Sequence, residues 1–377
     1  MLKIHRYVGL VLGAWLTLVG FSGAILVFWK EIDQRATPMS LVAQAGPERP
    51  DFDQAIAHVQ AEYPDRVILS YNRPNLDPRE SLRFTLTKAN PKRPLGGDGE
   101  SLADLEVFVD PATVQVIGAR PYHIGFRTLA SFHKELLLPG AGERMIGVLG
   151  LIVLLTAIAG FVLWWRDNKK RPARGLHIRL SSPTPRLIRD SHTVVGMYVG
   201  LIIAFQATTG ALVADWFQVR TFVLSFFETP MPFAPRPAVP ETRITANQAR
   251  DAALANYPDH DTTMIELPRT PGGIYSVRLF PRTRDKTDHM RQVLVSSMSG
   301  KVVRVFDPDQ VPLATRVMNL WMIWIHNGNF FGLPGKIVIL IGGLGLGTLF
   351  PTGLYIWWRK RSSRRKAPRA TPAAQPS

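Results

Sequence analysis

The hydrophobic pattern of the chain consists of four long apolar stretches and two longer segments of mixed polarity. The apolar stretches run over Tyr7–Trp29, Met145–Trp165, His192–Trp216 and Ile337–Trp358. About 21 residues of helix measure roughly 32 Å, enough to cross a lipid bilayer. The first stretch is long for a cleavable signal peptide, and Trp29-Lys30-Glu31 is a poor cleavage site. We therefore predict four transmembrane helices.

The two mixed segments, 31–125 and 218–312, read as small α+β units. In the first, Ala55, Ile56, Val59 and Tyr63 fall on one face of a predicted helix over Asp53–Pro64. Alternating runs then predict strands at Val67–Tyr71 and Leu82–Thr87 and a strand pair over Glu106–Ile117. In the second segment, the repeated pattern predicts a helix over Asn247–Pro258 and a strand pair over Gln292–Phe306. A Pro/Gly-rich loop is expected at Lys92–Glu100.

The chain contains an internal duplication. The first and third apolar stretches align at an offset of 187 residues, which matches His5 with His192 and Gly23 with Gly210. The second and fourth align at an offset of 193, which matches His133 with His326, Gly160 with Gly353, and the Trp-Trp-Arg at 164–166 with that at 357–359. Both copies enter the membrane in the same direction, so they are parallel repeats.

Charge gives the expected orientation. The net charge is +16, and the basic residues concentrate in Arg166–Asp190 and after Trp358, beside apolar stretches. This favours a membrane over a nucleic-acid partner and places both termini and the basic loop in the cytoplasm. The expected organisation is 1–30 helix, 31–125 outer domain, 126–166 histidine segment and helix, 167–190 cytoplasmic loop, 191–217 helix, 218–312 outer domain, 313–359 histidine segment and helix, and 360–377 cytoplasmic tail.

The candidate chemistry rests on four histidines in two duplicated pairs. The chain has no cysteine, which excludes thiolate metal sites, iron–sulfur clusters and covalent c-type haem. His5 and His192 lie at the cytoplasmic ends of equivalent helices, and His133 and His326 lie at the opposite face. One iron needs imidazole nitrogens roughly 4 Å apart, and the two faces are about 30 Å apart. The pairs His5–His192 and His133–His326 are therefore the predicted axial ligands of two non-covalent b-type haems.

Two other metal interpretations remain open. Zinc is the weaker one, because no third ligand is evident at either pair. Met318 and Met322 leave a His/Met alternative at the outer site. The remaining histidines (His58, His123, His177, His260, His289) lack a matched partner and are expected to be structural.

The pattern resembles the PepSY-associated transmembrane family of iron-regulated inner-membrane proteins. The resemblance rests on His5-Arg6-Tyr7-Val8-Gly9, the two helices of PepSY type, the histidine-to-Leu-Pro-Gly segments and the Trp-Trp-Arg stops, and it covers residues 1–360. It implies an α+β membrane protein with two periplasmic PepSY-like domains. His133 also fits the haem-binding position of that family.

Within the family, the chain looks most like FoxB-type di-haem ferric-siderophore reductases. This likeness implies a multi-pass enzyme of the bacterial inner membrane that reduces ferric siderophores in the periplasm. No nicotinamide or flavin motif occurs, so a quinol or a redox partner would supply the electrons. The alternatives are a peptide- or protease-binding membrane protein without redox activity, and a siderophore permease. The four histidines are predicted as haem ligands, and no catalytic residue is predicted.

Overall fold

The computed structural model describes residues 2–73, 77–88, 103–122, 124–214, 222, 224–226, 244–269, 272–282 and 290–366. The chain divides into two compact units. The membrane unit comprises Met1–Trp29, Phe126–Val223 and Trp321–Ser377, and the sheet unit comprises Lys30–Gly125 and Leu224–Leu320. The loop predicted at Lys92–Glu100, the C-terminal tail after Lys366 and the predicted end of the third apolar stretch at Trp216 lie outside the described residues.

Helices occur in both units. They are α1 (Leu2–Leu26), α2 (Trp29–Ala36), α3 (Phe52–Glu62), α4 (Ile124–Glu135), α5 (Ala141–Asn168), α6 (Thr184–Ala214), α7 (Ala246–Leu254), α8 (Leu313–Arg316), α9 (Met322–His326) and α10 (Gly332–Lys366). Short 3-10 turns occupy Pro38–Ser40, Pro172–Leu176, Pro308–Gln310 and Asn329–Phe331, and a π-helical turn occupies Val317–Trp321.

The four predicted membrane helices are present as α1, α5, α6 and α10, each long and apolar enough to cross a bilayer. All four begin earlier than the apolar pattern, because polar residues can continue a helix beyond the hydrocarbon core. Large apolar side chains stay exposed along them, among them Val11, Leu155, Leu201 and Leu344. Exposed apolar surface of this extent on a helical bundle is the surface that lipid covers.

Packing between the membrane helices follows the duplication. Helix α1 contacts α10 and helix α5 contacts α6, and these two contacts are equivalent under the repeat. Small residues allow close approach: a Cβ added at Gly343 of α10 would lie 2.5 Å from the carbonyl oxygen of Gly20 in α1. Inside a bilayer the hydrophobic effect does not drive helices together, because lipid is as apolar as the side chains. Close glycine contacts of this kind stabilise the bundle through dispersion energy instead.

The sheet unit contains one antiparallel sheet of eight strands. The strands are β1 (Arg66–Asn72), β2 (Leu82–Lys88), β3 (Leu105–Val109), β4 (Val116–Pro121), β5 (His260–Glu266), β6 (Ile274–Pro281), β7 (Arg291–Ser296) and β8 (Val302–Phe306). Their order is β4-β3-β2-β1-β5-β6-β7-β8, so each half of the chain forms a four-stranded meander. The pattern predicted β1 to β4, β7 and β8, but it did not single out β5 and β6.

The two halves are joined edge to edge, where the sequence predicted two domains. Strand β1 pairs with β5, and Tyr71 lies opposite Ile265, its equivalent at an offset of 194. Ser70 faces Glu266 and Asn72 faces Met264, so the register is symmetric about the Tyr71–Ile265 pair. Each meander alone would leave an edge strand unpaired, and pairing the two edges satisfies both.

One hydrophobic core serves both halves of this sheet. Helix α3 buries Phe52, Ala55 and Val59, and helix α7 buries Ala249 and Ala253. The predicted apolar face of α3 is confirmed for Ala55 and Val59, while Ile56 and Tyr63 pack at the margin of the core. The two halves of the sheet unit therefore share one sheet and one core, and an internal pseudo-twofold axis relates them.

Candidate metal centres

The structure brings the four predicted histidines together as two pairs within the membrane unit. The ring centroids of His5 and His192 are 6.5 Å apart, with their planes at 81°. The ring centroids of His133 and His326 are 6.3 Å apart, with their planes at 43°. Each pair joins equivalent residues of the two repeats, as the duplication predicted.

These separations fit two imidazoles on one metal ion. A metal–nitrogen bond of about 2.0 Å on each side, plus about 1.1 Å from each nitrogen to its ring centre, places two opposed centroids roughly 6.2 Å apart. Both observed distances lie within about 0.3 Å of that value.

Hydrogen bonds hold the Nδ1 atom of every one of the four rings. His5 Nδ1 lies 3.0 Å from the carbonyl oxygen of Thr156. His192 Nδ1 lies 2.9 Å from Thr352 Oγ1, and His326 Nδ1 lies 2.9 Å from Thr209 Oγ1. His133 Nδ1 lies 3.0 Å from Ser22 Oγ. All four partners belong to the same repeat as the histidine that they hold.

The partners also determine the tautomer. A carbonyl oxygen can only accept, so His5 donates its Nδ1 proton to Thr156. The hydroxyls of Ser22, Thr209 and Thr352 already donate to backbone carbonyls, at 2.8, 3.0 and 2.6 Å. Their oxygens therefore accept from the histidines, and the lone pair of each imidazole resides on Nε2. This is the form in which histidine ligates a metal while a second-shell acceptor holds the other nitrogen.

Glycines make room for each ring. A Cβ added at Gly23 would lie 2.7 Å from His133 Cε1, and one added at Gly210 would lie 2.9 Å from His326 Cε1. Cβ atoms at Gly160 and Gly353 would each lie 3.2 Å from the Cε1 atoms of His5 and His192. An alanine at the first two positions would push the ring out of place, because real Cβ contacts are longer than 3.0 Å.

The two pairs lie at opposite ends of the same helices. His5 and Gly23, the glycine under His133, are both on α1 and are separated by roughly 27 Å of helical rise. His192 and Gly210, which lies under His326, have the same separation on α6. Neither histidine of one pair can share a metal ion with the other pair.

The ligand set suits a prosthetic group better than a bare ion. Within the described ranges, no group of three or more His, Cys, Asp or Glu side chains could hold a metal ion. Two imidazoles fall short of the four ligands of a structural zinc site, whereas a porphyrin supplies the other donors to iron. The residues present thus fit haem b, and the close approach of His133 to His326 favours imidazole over Met318 or Met322 as the second ligand.

The sequence analysis missed the hydroxyl groups that hold the rings. Ser22-Gly23 and Thr209-Gly210 are equivalent hydroxyl–glycine pairs at an offset of 187, and this repetition was the available signal. Thr352 carries no such signal, because its equivalent at an offset of 193 is Ala159.

The unmatched histidines that the structure describes have structural contacts. His58 Nδ1 lies 2.6 Å from the Val114 carbonyl oxygen, and His260 Nδ1 lies 2.7 Å from an Asp259 carboxylate oxygen. His177 Nδ1 lies 2.6 Å from the Ala173 carbonyl oxygen. His123 and His289 lie outside the described residues.

Comparison with known proteins places the chain in a family. The sequence model of the PepSY-associated TM region matches residues 2–360. A search of curated proteins found no match. Among solved structures, a protein from Clostridium difficile 630 described as a lipoprotein is 12% identical and covers 71% of this chain and 98% of its own. Its TM-score of 0.25 is too low to support any conclusion. The chain, a multi-pass α+β membrane protein, belongs to the PepSY-associated transmembrane family on the strength of the match over residues 2–360.

Proposed function

We propose that this protein is a di-haem b oxidoreductase of the bacterial inner membrane that reduces ferric siderophores in the periplasm and releases their iron. The observation that supports the proposal is the pair of closely spaced imidazoles at each end of the bundle, with Nδ1 hydrogen-bonded in all four rings. A membrane anchor has no need of two such pairs.

The protein's own residues would hold and orient the two groups. His5 and His192 would ligate one haem and His133 and His326 the other, while Ser22, Thr209, Thr352 and the Thr156 carbonyl fix the ring orientations. Haem b, when bound, supplies one-electron transfer. Two such sites about 27 Å apart along α1 suit transfer of electrons from one face of the membrane to the other.

The charge pattern supports the orientation. Lys169, Lys170, Arg171 and Arg174 follow helix α5, and Arg359, Lys360 and Arg361 lie in the last turns of α10. Basic residues next to membrane helices remain in the cytoplasm, which favours a periplasmic location for residues 31–125 and 218–312 and for the His133–His326 end of the bundle. A quinol or a protein partner would supply electrons.

Siderophores hold ferric iron through hard oxygen donors, which bind the softer ferrous ion far more weakly. One electron delivered to the chelate therefore releases the metal. This chemistry needs a donor at the outer face, and the His133–His326 pair is at that end of the bundle in the proposed orientation.

The first experiment is the visible spectrum of the purified protein with haem quantified per chain. We expect two haems, a Soret band, and split α bands on reduction. His5→Ala or His192→Ala should remove one haem, and His133→Ala or His326→Ala should remove the other. His177→Ala is the matched control and should retain both. Full haem content in all four ligand variants would disprove the assignment.

The second experiment tests the substrate. Dithionite-reduced protein in detergent should be reoxidised by a ferric siderophore, with ferrous iron trapped by ferrozine. His326→Ala should abolish this reaction, while His5→Ala should abolish it only in intact membranes that supply electrons through a quinol. If ferric chelates leave the reduced wild-type protein unchanged, the siderophore substrate is wrong even where haem is present.

The alternatives predict different spectra. A PepSY protein that binds a peptide or protease, or a permease that moves the intact chelate, would purify without a Soret band. The four held histidines favour the haem protein over both.

A further inference from the structure

The sheet unit contains a cavity of about 390 Å³ at the seam between its two halves. The first half lines it with Phe52, Tyr71 and Arg73, and the second half lines it with Arg250, Leu254 and Arg282. Cavities of a few hundred cubic ångströms at a junction between two structural halves are typical binding sites for small molecules. The cavity is far smaller than a folded protein partner would need.

The hydroxyl of Tyr71 is buried without a partner. The side chain is 1% exposed, and its oxygen has no hydrogen-bond partner within the described part of the chain. The equivalent residue in the second half is Ile265, which is also 1% exposed. The fold therefore requires only an apolar side chain at this position. A buried unpaired hydroxyl costs stability and calls for an explanation, such as an acceptor that is supplied from outside.

Two arginines, Arg73 and Arg250, and the buried carboxylate of Glu80 carry the charges that act on this hydroxyl. Arg73 is 5% exposed and donates to the carbonyl oxygen of Asp77 at 2.8 Å, and it has no carboxylate partner among the described residues. Arg250 donates to Asp251 at 2.9 Å and to the Pro50 carbonyl oxygen at 2.8 Å. Burial raises the pKa of Tyr71 and the charge of Glu80 adds to the rise, whereas the charges of Arg73 and Arg250 oppose it.

The charge balance of the cavity is positive. Arg282 is neutralised by Glu48 at 2.7 Å and Asp261 at 3.3 Å, whereas Arg49 is exposed and makes no ion pair with any described residue. Four arginines and two carboxylates thus line the space. Because Arg250 is paired with Asp251 at 2.9 Å, Arg49 and Arg73 are the lining arginines that have no carboxylate partner among the described residues. A buried arginine without a carboxylate is expensive unless an anion compensates it.

We propose that this cavity binds a small organic anion, whose carboxylate or similar oxyanion accepts from the Tyr71 hydroxyl beside Arg73 and whose apolar part packs against Phe52 and Leu254. The site is independent of the haem proposal, because all of its residues belong to the sheet unit. The rings of Phe52 and Tyr71 already pack against each other in a tilted arrangement, with centroids 4.4 Å apart, so the apolar wall is preformed.

The test is calorimetric titration of the full chain in detergent with benzoate, citrate, benzamide and inorganic phosphate. We expect benzoate or citrate to bind, and the neutral benzamide and bare phosphate to bind at least about tenfold more weakly. Tyr71→Phe should weaken the organic anion about tenfold, because a hydrogen bond to a charged group is lost. Arg49→Gln should weaken it less, and Arg35→Gln, an exposed arginine outside the cavity, should leave it unchanged.

Thermal unfolding separates a binding defect from a folding defect. Tyr71→Phe removes an unpaired hydroxyl, so the ligand-free variant should melt at or above the wild-type temperature. Tyr275→Phe is the matched control: its hydroxyl donates to the Ile244 carbonyl oxygen at 3.2 Å, so this variant should lose stability and keep its affinity. Failure of both organic anions to bind, equal affinity in Tyr71→Phe, or equal binding of phosphate or benzamide would each overturn the proposal.

Discussion

Asp53 and Asn247 each cap the helix of the other half of the sheet unit. An Asp53 carboxylate oxygen accepts from the backbone amides of Ala246 and Asn247, at 2.9 and 3.2 Å, at the start of α7. Asn247 Oδ1 accepts from the Phe52 amide at 3.0 Å, at the start of α3. The two residues are equivalent at an offset of 194, so the exchange obeys the pseudo-twofold symmetry. Each half therefore supplies hydrogen bonds that the other half needs.

Loss of this exchange should destabilise the sheet unit. Asp53→Ala leaves two amides of α7 without an acceptor, and Asn247→Ala does the same to one amide of α3. We expect each change to lower the free energy of unfolding by about 1–2 kcal/mol, the usual cost of a lost helix cap. Denaturant unfolding of the full chain, followed by circular dichroism, measures this.

The matched control is Asp65→Ala, which removes an exposed carboxylate from the same unit. It should change the free energy of unfolding by no more than about 0.5 kcal/mol. The double variant Asp53→Ala/Asn247→Ala tests the coupling, because the two caps share one interface. Equal effects of Asp53→Ala and Asp65→Ala would show that the cap contributes nothing.

We predict that the protein loses stability at alkaline pH through ionisation of Tyr275. Burial raises its pKa to about 12, and the nearby charge of Asp53 adds to the rise, whereas an unfolded tyrosine titrates near 10. Above about pH 10 the unfolded chain gains from ionisation that the folded protein resists, so the stability that this group contributes falls from about pH 10 to about pH 12. The Tyr275→Phe variant has no phenol at this position, so its stability lacks this pH dependence.

The measurement compares thermal unfolding of wild type and Tyr275→Phe between pH 8 and 11. At pH 8 the variant should be less stable by about 1 kcal/mol, because the Ile244 carbonyl loses its donor. Above about pH 10 the gap should narrow, since only the wild type carries the tyrosine. A gap that stays constant over this range would contradict the assignment.

The sequence predicted six of the eight strands of the sheet unit, but not β5 and β6 and not the pairing of the two halves into one sheet. Alternation identified β1, and the helical face of Ala55 and Val59 identified α3, because these patterns are local. The pairing of Tyr71 with Ile265 joins residues 194 positions apart. An edge strand carries no sequence label for its partner, so two separate domains and one fused sheet fit the same pattern.

For the candidate site, the duplication supplied what local pattern could not. A lone histidine on an apolar helix is usually structural, but the match of His5 with His192 and of His133 with His326 predicted the two pairs that the structure brings together. The ring contacts of Thr352 and of the Thr156 carbonyl follow from how α1 packs on α5 and α6 on α10. Such contacts depend on helix rotation, which hydropathy does not define.

We predict that the hydroxyl of Thr209 lowers the midpoint potential of a haem held by the His133–His326 pair. It accepts the Nδ1 proton of His326 at 2.9 Å, which strengthens the ligand by polarising the ring. Thr209→Val removes the acceptor at nearly constant volume. We expect the midpoint potential of one haem to rise by tens of millivolts, because a less basic imidazole stabilises the oxidised iron less.

Thr208→Val is the control for this change. Its hydroxyl donates to the Ala204 carbonyl oxygen and is exposed, one position away on the same helix. Spectroelectrochemical titration of both variants should show a shifted potential only in Thr209→Val, with the other haem unmoved. Identical potentials in the two variants would show that Thr209 does not act through His326.

The glycines beneath the rings give the most direct test of the geometry. Gly23→Ala would place a Cβ 2.7 Å from His133 Cε1, and Gly210→Ala would place one 2.9 Å from His326 Cε1. Either ring must then rotate or retreat, which breaks the Nδ1 hydrogen bond and would weaken the bond of that histidine to a haem iron. We expect each variant to lose most of one haem, or to convert it to a high-spin form visible by electron paramagnetic resonance.

Gly9→Ala and Gly200→Ala are matched controls on the same two helices, since a Cβ at either position meets nothing within 4 Å. Both should retain two low-spin haems and unchanged yield, because alanine is the better helix former. Gly160→Ala and Gly353→Ala, whose Cβ atoms would lie 3.2 Å from the His5 and His192 rings, should have smaller effects on the other haem. If Gly23→Ala and Gly9→Ala bind haem equally, His133 does not hold a haem in the ring position that the structure gives it, and the proposed His133–His326 site is wrong in this geometry.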